Sequence, residues 1–175
     1  VLGDSASQSI GASTPEAGYV LRVRDRLDAA TGERWRVVNL SITGAKMIDV
    51  VDRQLSAVAA LGLGPDLVTS FIGANDLLYP WGIDDARRDA GRLAEALPKG
   101  TLQSRMVGGP PSRPKASAIN DVLQSAADAG ALSLFHPWDW PTTRGVWAAD
   151  RFHPSDVGYT HLTEAVWRAV ELTVT

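Results

Sequence analysis

The sequence contains no cysteine. Disulfides, thiolate catalysis and cysteine-based metal sites are therefore excluded. A chain of 175 residues buries about 70% of the surface its unfolded form exposes, so its core needs no covalent or metal support. An excess of charge of one sign is missing too. Lys and Arg number 17 against 20 Asp and Glu, a net charge of −3, with both signs mixed along the chain. That leaves no basic footprint for nucleic acid and no polybasic anchor for an anionic membrane. No apolar run approaches the roughly 20 residues that span a bilayer as a helix. Histidine is scarce, at three residues. No His-Glu-x-x-His or comparable ligand cluster occurs, which disfavours a metal-dependent hydrolase.

What is present is an ordinary globular balance, with 45% apolar and 21% charged residues. The length fits one domain. The chain opens at Val1-Leu2-Gly3 without an initiator Met. Gly3 reads as the end of a first strand that is truncated here, with any signal peptide lying upstream. Thr14-Pro15-Glu16 predicts a helix start, Thr14 as N-cap and Pro15 at the first helical position. Ala17, Val20, Leu27 and Ala30 follow at helical spacing up to Gly32. Residues 35–40 (WRVVNL) predict a strand. Ile48, Val51, Leu55 and Val58 mark one face of a second helix, and residues 67–72 (LVTSFI) a short buried strand. The helix over 83–97 is the plainest, with Ile83, Ala86, Ala90, Leu93, Ala94 and Leu97 on one face and charges on the other. A polar fourth strand over 102–107, a helix over 116–126, a strand over 131–135 and a closing helix over 162–170 complete the pattern. Strands alternating with helices predict a parallel sheet covered on both faces. One long irregular stretch, 136–156, interrupts it, and long loops in compact domains are usually functional.

Four short blocks fall just beyond predicted strand ends, where open α/β sheets bind ligands. They are Gly3-Asp4-Ser5, Asn39-Leu40-Ser41-Ile42-Thr43-Gly44, Gly73-Ala74-Asn75-Asp76 and Asp150-Arg151-Phe152-His153-Pro154. A serine, a histidine and a carboxylate are the parts of a nucleophilic hydrolase. Ser5 is the candidate nucleophile. His153 is the candidate general base and then acid, with Asp150 three residues earlier to hold its tautomer. Pro154 biases His153 away from helix. The side-chain NH2 of Asn75, with the backbone N–H groups of Gly44 and Ser5, forms a candidate oxyanion hole. Gly11 leaves room for the loop after Ser5. Each block also has a bland reading. Gly, Asn and Asp form ordinary turns, and Asp-x-x-His also serves as a surface pair capping a helix. His161 sits within the last helical pattern and reads as structural, while His136, with Asp139 three residues on, is the weaker competitor.

Together, and in this order, the blocks resemble the SGNH (GDSL-type) hydrolase family, named for the Ser, Gly, Asn and His of its four blocks. The resemblance runs from residue 3 to 158. It departs in the first block, which reads Gly-Asp-Ser-Ala-Ser without the Leu of the family's name. It implies a three-layer α/β/α, flavodoxin-like fold with about five parallel strands. It also implies hydrolysis of acyl esters through an acyl-serine intermediate, with no cofactor and no metal. The Gly-x-Ser-x-Gly elbow of α/β-hydrolases occurs nowhere.

Four of the six tryptophans fall in two loops flanking the blocks: Trp81, and Trp138, Trp140 and Trp147. With Leu77, Leu78 and Tyr79 they read as a wall for an acyl chain or a platform for sugar rings, Trp81 and Trp147 being the candidate substrate contacts. Equally, they read as residues that pack long loops onto the sheet. The expected partner is a small-molecule, lipid or glycan acyl ester. An esterase or lysophospholipase-like enzyme leads. A carbohydrate O-deacetylase, an O-acyltransferase and a non-catalytic binding module remain as alternatives. A phosphate cradle is disfavoured, because the loop from Ser5 to Gly11 carries no Lys or Arg.

Overall fold

The computed structural model describes residues 1–62, 64–80, 82–137 and 144–174. Four parallel strands form the sheet in sequential order: β1 (Leu2–Gly3), β2 (Thr69–Phe71), β3 (Thr101–Ser104) and β4 (Leu132–Phe135). Each pairs in parallel with the next, for example Gly3 with Phe71 and Ser104 with Phe135. Helices cross between them: α1 (Tyr19–Thr31), α2 (Met47–Asp49), α3 (Leu55–Ala60), α4 (Ala74–Leu78), α5 (Ile83–Ala96), α6 (Arg113–Asp128) and α7 (Asp156–Val174). Among the described residues no helix is long and apolar enough to cross a membrane.

The sheet separates two apolar cores, the mark of a three-layer α/β/α arrangement. On one face Leu2 and Ile72 pack with Met47, Val50, Ala90, Leu93, Ile119 and Leu123 from α2, α5, α6 and the helical turn between α2 and α3. On the other, Phe71, Leu102 and Phe135 pack with Tyr19, Val23 and Leu27 of α1 and with Tyr159, Leu162, Val166 and Val170 of α7. Tyr19 meets Phe71 edge-on, and Phe71 stacks on Phe135 with ring centroids 6.3 Å apart. Successive residues of a strand face opposite sides, so Phe71 and Ile72 serve different cores.

The expected five strands become four plus an extended segment. Residues 35–40 do not form a regular strand, yet the chain from Val38 to Ile42 runs beside β1 with ladder-type bonds. Val1 N donates to Val38 O, Leu40 N to Val1 O and Ile42 N to Gly3 O. The predicted first helix also differs. Thr14 makes no side-chain cap, Pro15–Ala17 is a short 3₁₀ turn, and the α-helix starts at Tyr19 after Gly18. The polar strand is real but ends at Ser104. Its buried Gln103 donates to Ser104 O at 2.8 Å, while the Oε1 of the same side chain has no partner among the described residues.

Between α2 and α3 the helix widens into a π-turn, Val50–Gln54. The buried face of this stretch also lies elsewhere than expected. Met47, Val50 and Gln54 are the fully buried positions, while Val51, Leu55 and Val58 are only partly buried against the core. Asp76 of α4 is 3% exposed and accepts from Met47 N at 3.1 Å, tying α4 to the start of α2.

Burial pushes Asp76 up to about 6, opposed by the Met47 N–H. A carboxyl whose folded pKa lies above its unfolded value, about 3.9, stabilises fully below that value and loses this contribution as pH rises to its folded pKa. The stability of an Asp76→Asn variant relative to the parent should therefore increase by about 2 kcal/mol between pH 4 and pH 7. Urea unfolding of both proteins at each pH measures it, and a constant difference would refute the assignment.

Candidate active site

Ser5 opens a 3₁₀ turn, Ser5–Gln8, directly after β1. Asp4 caps that turn, its Oδ1 accepting from Ala6 N at 3.0 Å. Gly3 before it has φ 151, and a Cβ there would lie 2.5 Å from Phe71 O. Only glycine lets β1 turn this tightly against β2. Further bonds fix the turn from outside. Ser7 Oγ meets Tyr19 Oη at 2.8 Å, Asn39 Nδ2 donates to Ser7 O at 2.7 Å, and Gln8 Nε2 donates to Ser41 O at 2.7 Å. The block 39–44 is thus a brace for the Ser5 turn as well as the carrier of Gly44.

The other end of the chain arrives through a tight hairpin. Ala148 N donates to His153 O, Ser155 N to Val146 O and Arg151 N to Ala148 O, all at 2.8 to 2.9 Å. Arg151 takes the left-handed conformation at φ 57, unusual for a side chain of its size. Asp150 Oδ1 accepts from the backbone N–H groups of Phe152 and His153 at 2.9 and 3.0 Å. Its Oδ2 lies 2.6 Å from His153 Nδ1, and His153 Nε2 lies 2.9 Å from Ser5 Oγ. The carboxylate requires a proton on Nδ1, so Nε2 is the acceptor for the serine hydroxyl. These same bonds, the imidazole's first, hold Asp150 down at about 2. The carboxylate stays ionised although its side chain is 48% exposed, while that of His153 is 17% exposed. Ser5 is buried.

Asn75 lies in the first turn of α4, which starts behind Gly73, whose φ of 117 again demands glycine. Its Nδ2 donates to Ala45 O at 2.8 Å, and Asp4 Oδ2 lies 3.4 Å away. The first bond fixes the plane of the amide. The second is too long to hold the remaining N–H firmly. Gly44, at φ 77 and exposed, is the neighbour of Ala45, so its loop reaches Asn75 through that carbonyl. Asp4, which the sequence reading left without a role, is only 3% exposed. Burial raises it to about 6, against the Ala6 N–H and the nearby His153.

The geometry therefore joins Ser5, His153 and Asp150 in one chain of hydrogen bonds and brings Asn75 and the Gly44 loop to the residue before Ser5. His136 and His161 are not part of that chain. Trp147 is half exposed and bridges to Pro154 within the hairpin. Trp81, Trp138 and Trp140 lie outside the described residues. A small cavity of about 60 Å³ opens beside Asp4, lined by Ala74, Leu77, Met106 and Val107. A larger one, about 950 Å³, lies at the opposite end of the strands against Val1, Trp35 and Leu67 and contains none of these groups. The chemistry, not cavity size, identifies the site. A hydroxyl held on the free nitrogen of a carboxylate-oriented imidazole is the arrangement that makes a serine nucleophilic.

The profile of the GDSL-like Lipase/Acylhydrolase family matches residues 1–161. Among solved structures, the chain is similar to TesA, with 24% identity, a TM-score of 0.80 and coverage of 99% of this chain and 97% of that one. It is similar also to the psychrotrophic esterase EstA of Pseudoalteromonas sp., with 17% identity, a TM-score of 0.79 and coverage of 99% and 96%. A family 3 carbohydrate esterase of Clostridium thermocellum follows at 16% identity and a TM-score of 0.74, with coverage of 98% and 94%. These likenesses establish the shared fold. No curated protein matches the chain by sequence.

Gly11 links the two halves of the site. At φ 93, an added Cβ would lie 2.6 Å from Pro154 O and 2.8 Å from the Cβ of His153. Gly11→Ala should push the imidazole off Ser5 and slow covalent modification of Ser5 by a fluorophosphonate at least about tenfold. Mass spectrometry of the adduct measures the rate. A folded variant labelled as fast as the parent would show that this contact does not set the alignment.

Proposed function

Because the chain belongs to the GDSL-like Lipase/Acylhydrolase family, we propose that it is a serine acyl-ester hydrolase acting through an acyl-serine intermediate. The observation that carries this reading is the continuous Asp150–His153–Ser5 hydrogen-bond chain, 2.6 and 2.9 Å in its two links. Ser5 Oγ attacks the ester carbonyl carbon as His153 Nε2 takes its proton. Asp150 stabilises the imidazolium that forms. Asn75 Nδ2, freed from its long contact with Asp4, and the backbone N–H groups of Gly44 and Ser5 receive the oxyanion. Collapse breaks the ester C–O bond, and His153 returns the proton to the departing alcohol. Water then attacks the acyl-serine with His153 again as base. The carboxylic acid leaves and the Ser5 hydroxyl is restored.

Carbohydrate O-deacetylation by the same residues is the second reading.

The decisive experiment is hydrolysis of p-nitrophenyl esters from acetyl to dodecanoyl by the parent and by Ser5→Ala. Turnover on the acetyl ester that disappears in the variant is the expected result, and a dodecanoyl optimum would move the assignment to lipid esters. Equal rates in parent and variant would exclude Ser5 as nucleophile. Transfer to an added alcohol without hydrolysis would identify an acyltransferase.

Asn75→Ala should lower kcat about 10²-fold or more with little change in KM, since its donor acts on charge that develops only in the transition state. Asp150 stays ionised down to about 2, so its protonation should leave no limb in a kcat/KM profile measured from pH 4 upward, whereas Asp4, raised to about 6 beside Asn75, ionises within that range.

A further inference from the structure

The ladder between β1 and the segment from Val38 to Ile42 has an interruption that bears on Ser5. Val1 N donates to Val38 O, Leu40 N to Val1 O and Ile42 N to Gly3 O. The next bond in that parallel series runs from Gly3 N to the carbonyl of Leu40. Instead, Gly3 N donates to Gln54 Oε1 at 2.9 Å, and Gln54 Nε2 donates back to Gly3 O at 2.8 Å. One carboxamide grips both backbone groups of a single residue, as a neighbouring peptide unit would.

Gln54 is 1% exposed and closes the π-turn, where Leu55 N bonds Val50 O across five residues. Wide turns of this kind inside helices occur frequently at functional positions. Here the turn carries a buried polar side chain on a helix face whose other fully buried residues, Met47 and Val50, are apolar. The residue it grips is the glycine whose φ of 151 sets the direction of Asp4-Ser5. The hydrogen bonds of the Gln54 carboxamide go to Gly3 and not to Ser5 or His153.

We propose that Gln54 is a positioning residue for Ser5: its carboxamide, aimed by the π-turn, locks Gly3 so that the serine hydroxyl falls on His153 Nε2. The inference rests on the reading of Ser5 as nucleophile. Removing the grip leaves the Gly3 N–H unpaired in a buried place and frees the turn by a fraction of an ångström. Misplacement on the scale of 1 Å costs about 10²-fold in rate.

The test compares the parent, Gln54→Leu and Gln54→Glu on p-nitrophenyl acetate from pH 5 to 9. Circular dichroism checks folding, and hydrogen–deuterium exchange is followed in the peptide covering residues 1–7. Gln54→Leu should be folded, with kcat down about 10- to 10²-fold, KM within about twofold and faster exchange at Gly3. A carboxyl at this position reproduces the two-way grip only while protonated, when its O–H donates to Gly3 O. The rate of Gln54→Glu divided by that of the parent should therefore fall as pH rises. A folded Gln54→Leu with parental kcat, or a Gln54→Glu profile parallel to the parent's, overturns the proposal. Should Gln54→Leu fail to fold, the Gln54→Glu profile decides. Should the parent hydrolyse no ester, the functional reading falls by itself. The ratio of Gly3 exchange in Gln54→Glu to that in the parent at the same pH then decides whether the grip exists, rising with pH if it does and staying constant if it does not.

Discussion

Two strands can lie parallel and adjacent only if the chain crosses back over the sheet between them. Every strand then delivers its carboxyl end to the same edge, and whatever follows each strand meets there. In this protein β1 delivers Ser5, the segment ending at Ile42 delivers Gly44, β2 delivers Asn75, and the hairpin beyond β4 delivers Asp150 and His153. Groups as far apart as 148 residues in sequence come within hydrogen-bond reach. The helices cover the two faces of the sheet and leave this edge to its loops.

Loops alone are poor supports for groups that must hold a few tenths of an ångström. Side-chain amides supply the stiffness. Asn39 binds Ser7 O, Gln8 binds Ser41 O, and Asn75 binds Ala45 O. Asn120 of α6 receives Met106 N and donates to Met106 O, at 2.7 and 2.8 Å. Met106 in turn stands so close over Gly73 that a Cβ there would lie 2.3 Å from its sulfur. A carboxamide offers a donor and an acceptor without charge, and so Gln54 is buried with both ends bonded to Gly3. The carboxylates divide by environment instead. Asp150, half exposed and bonded to three N–H groups, is held ionised, whereas Asp4 and Asp76, out of water, are pushed toward the neutral form.

Much of this was legible in the sequence, for physical reasons that can be named. The helix over 83–97 was plain because its apolar and charged faces are cleanly divided, and it is observed as Ile83–Ala96. The four blocks were legible because glycine, asparagine and proline constrain the backbone wherever they stand. The segment 35–40 has the Val and Trp residues of a strand, but within it only Val38 and Leu40 bond to β1, and the pairing runs on to Ile42. Thr14 and Pro15 signalled a helix start but serve a 3₁₀ turn, and the α-helix waits for Gly18. Gln54 was invisible. Its helical neighbours predict a face built on Val51 and Leu55, whereas Met47, Val50 and Gln54 are the buried positions, and a buried glutamine on a helix face carries no hydropathy signal. Trp81 as a substrate contact falls outside the described residues.

The close approach of Gly11 to Pro154 and His153 has a kinetic side. The loop after β1 and the hairpin before α7 interlock face to face, with Ser13 bonded to Asp156 and Tyr159 to Ile10 O. Neither half of the site can be finished while the other is absent. Contacts of such long sequence separation form against the largest loop-closure entropy in the chain. During synthesis the proposed nucleophile leaves the ribosome 148 residues ahead of its base. The serine therefore passes through that stretch of synthesis without the imidazole that would arm it.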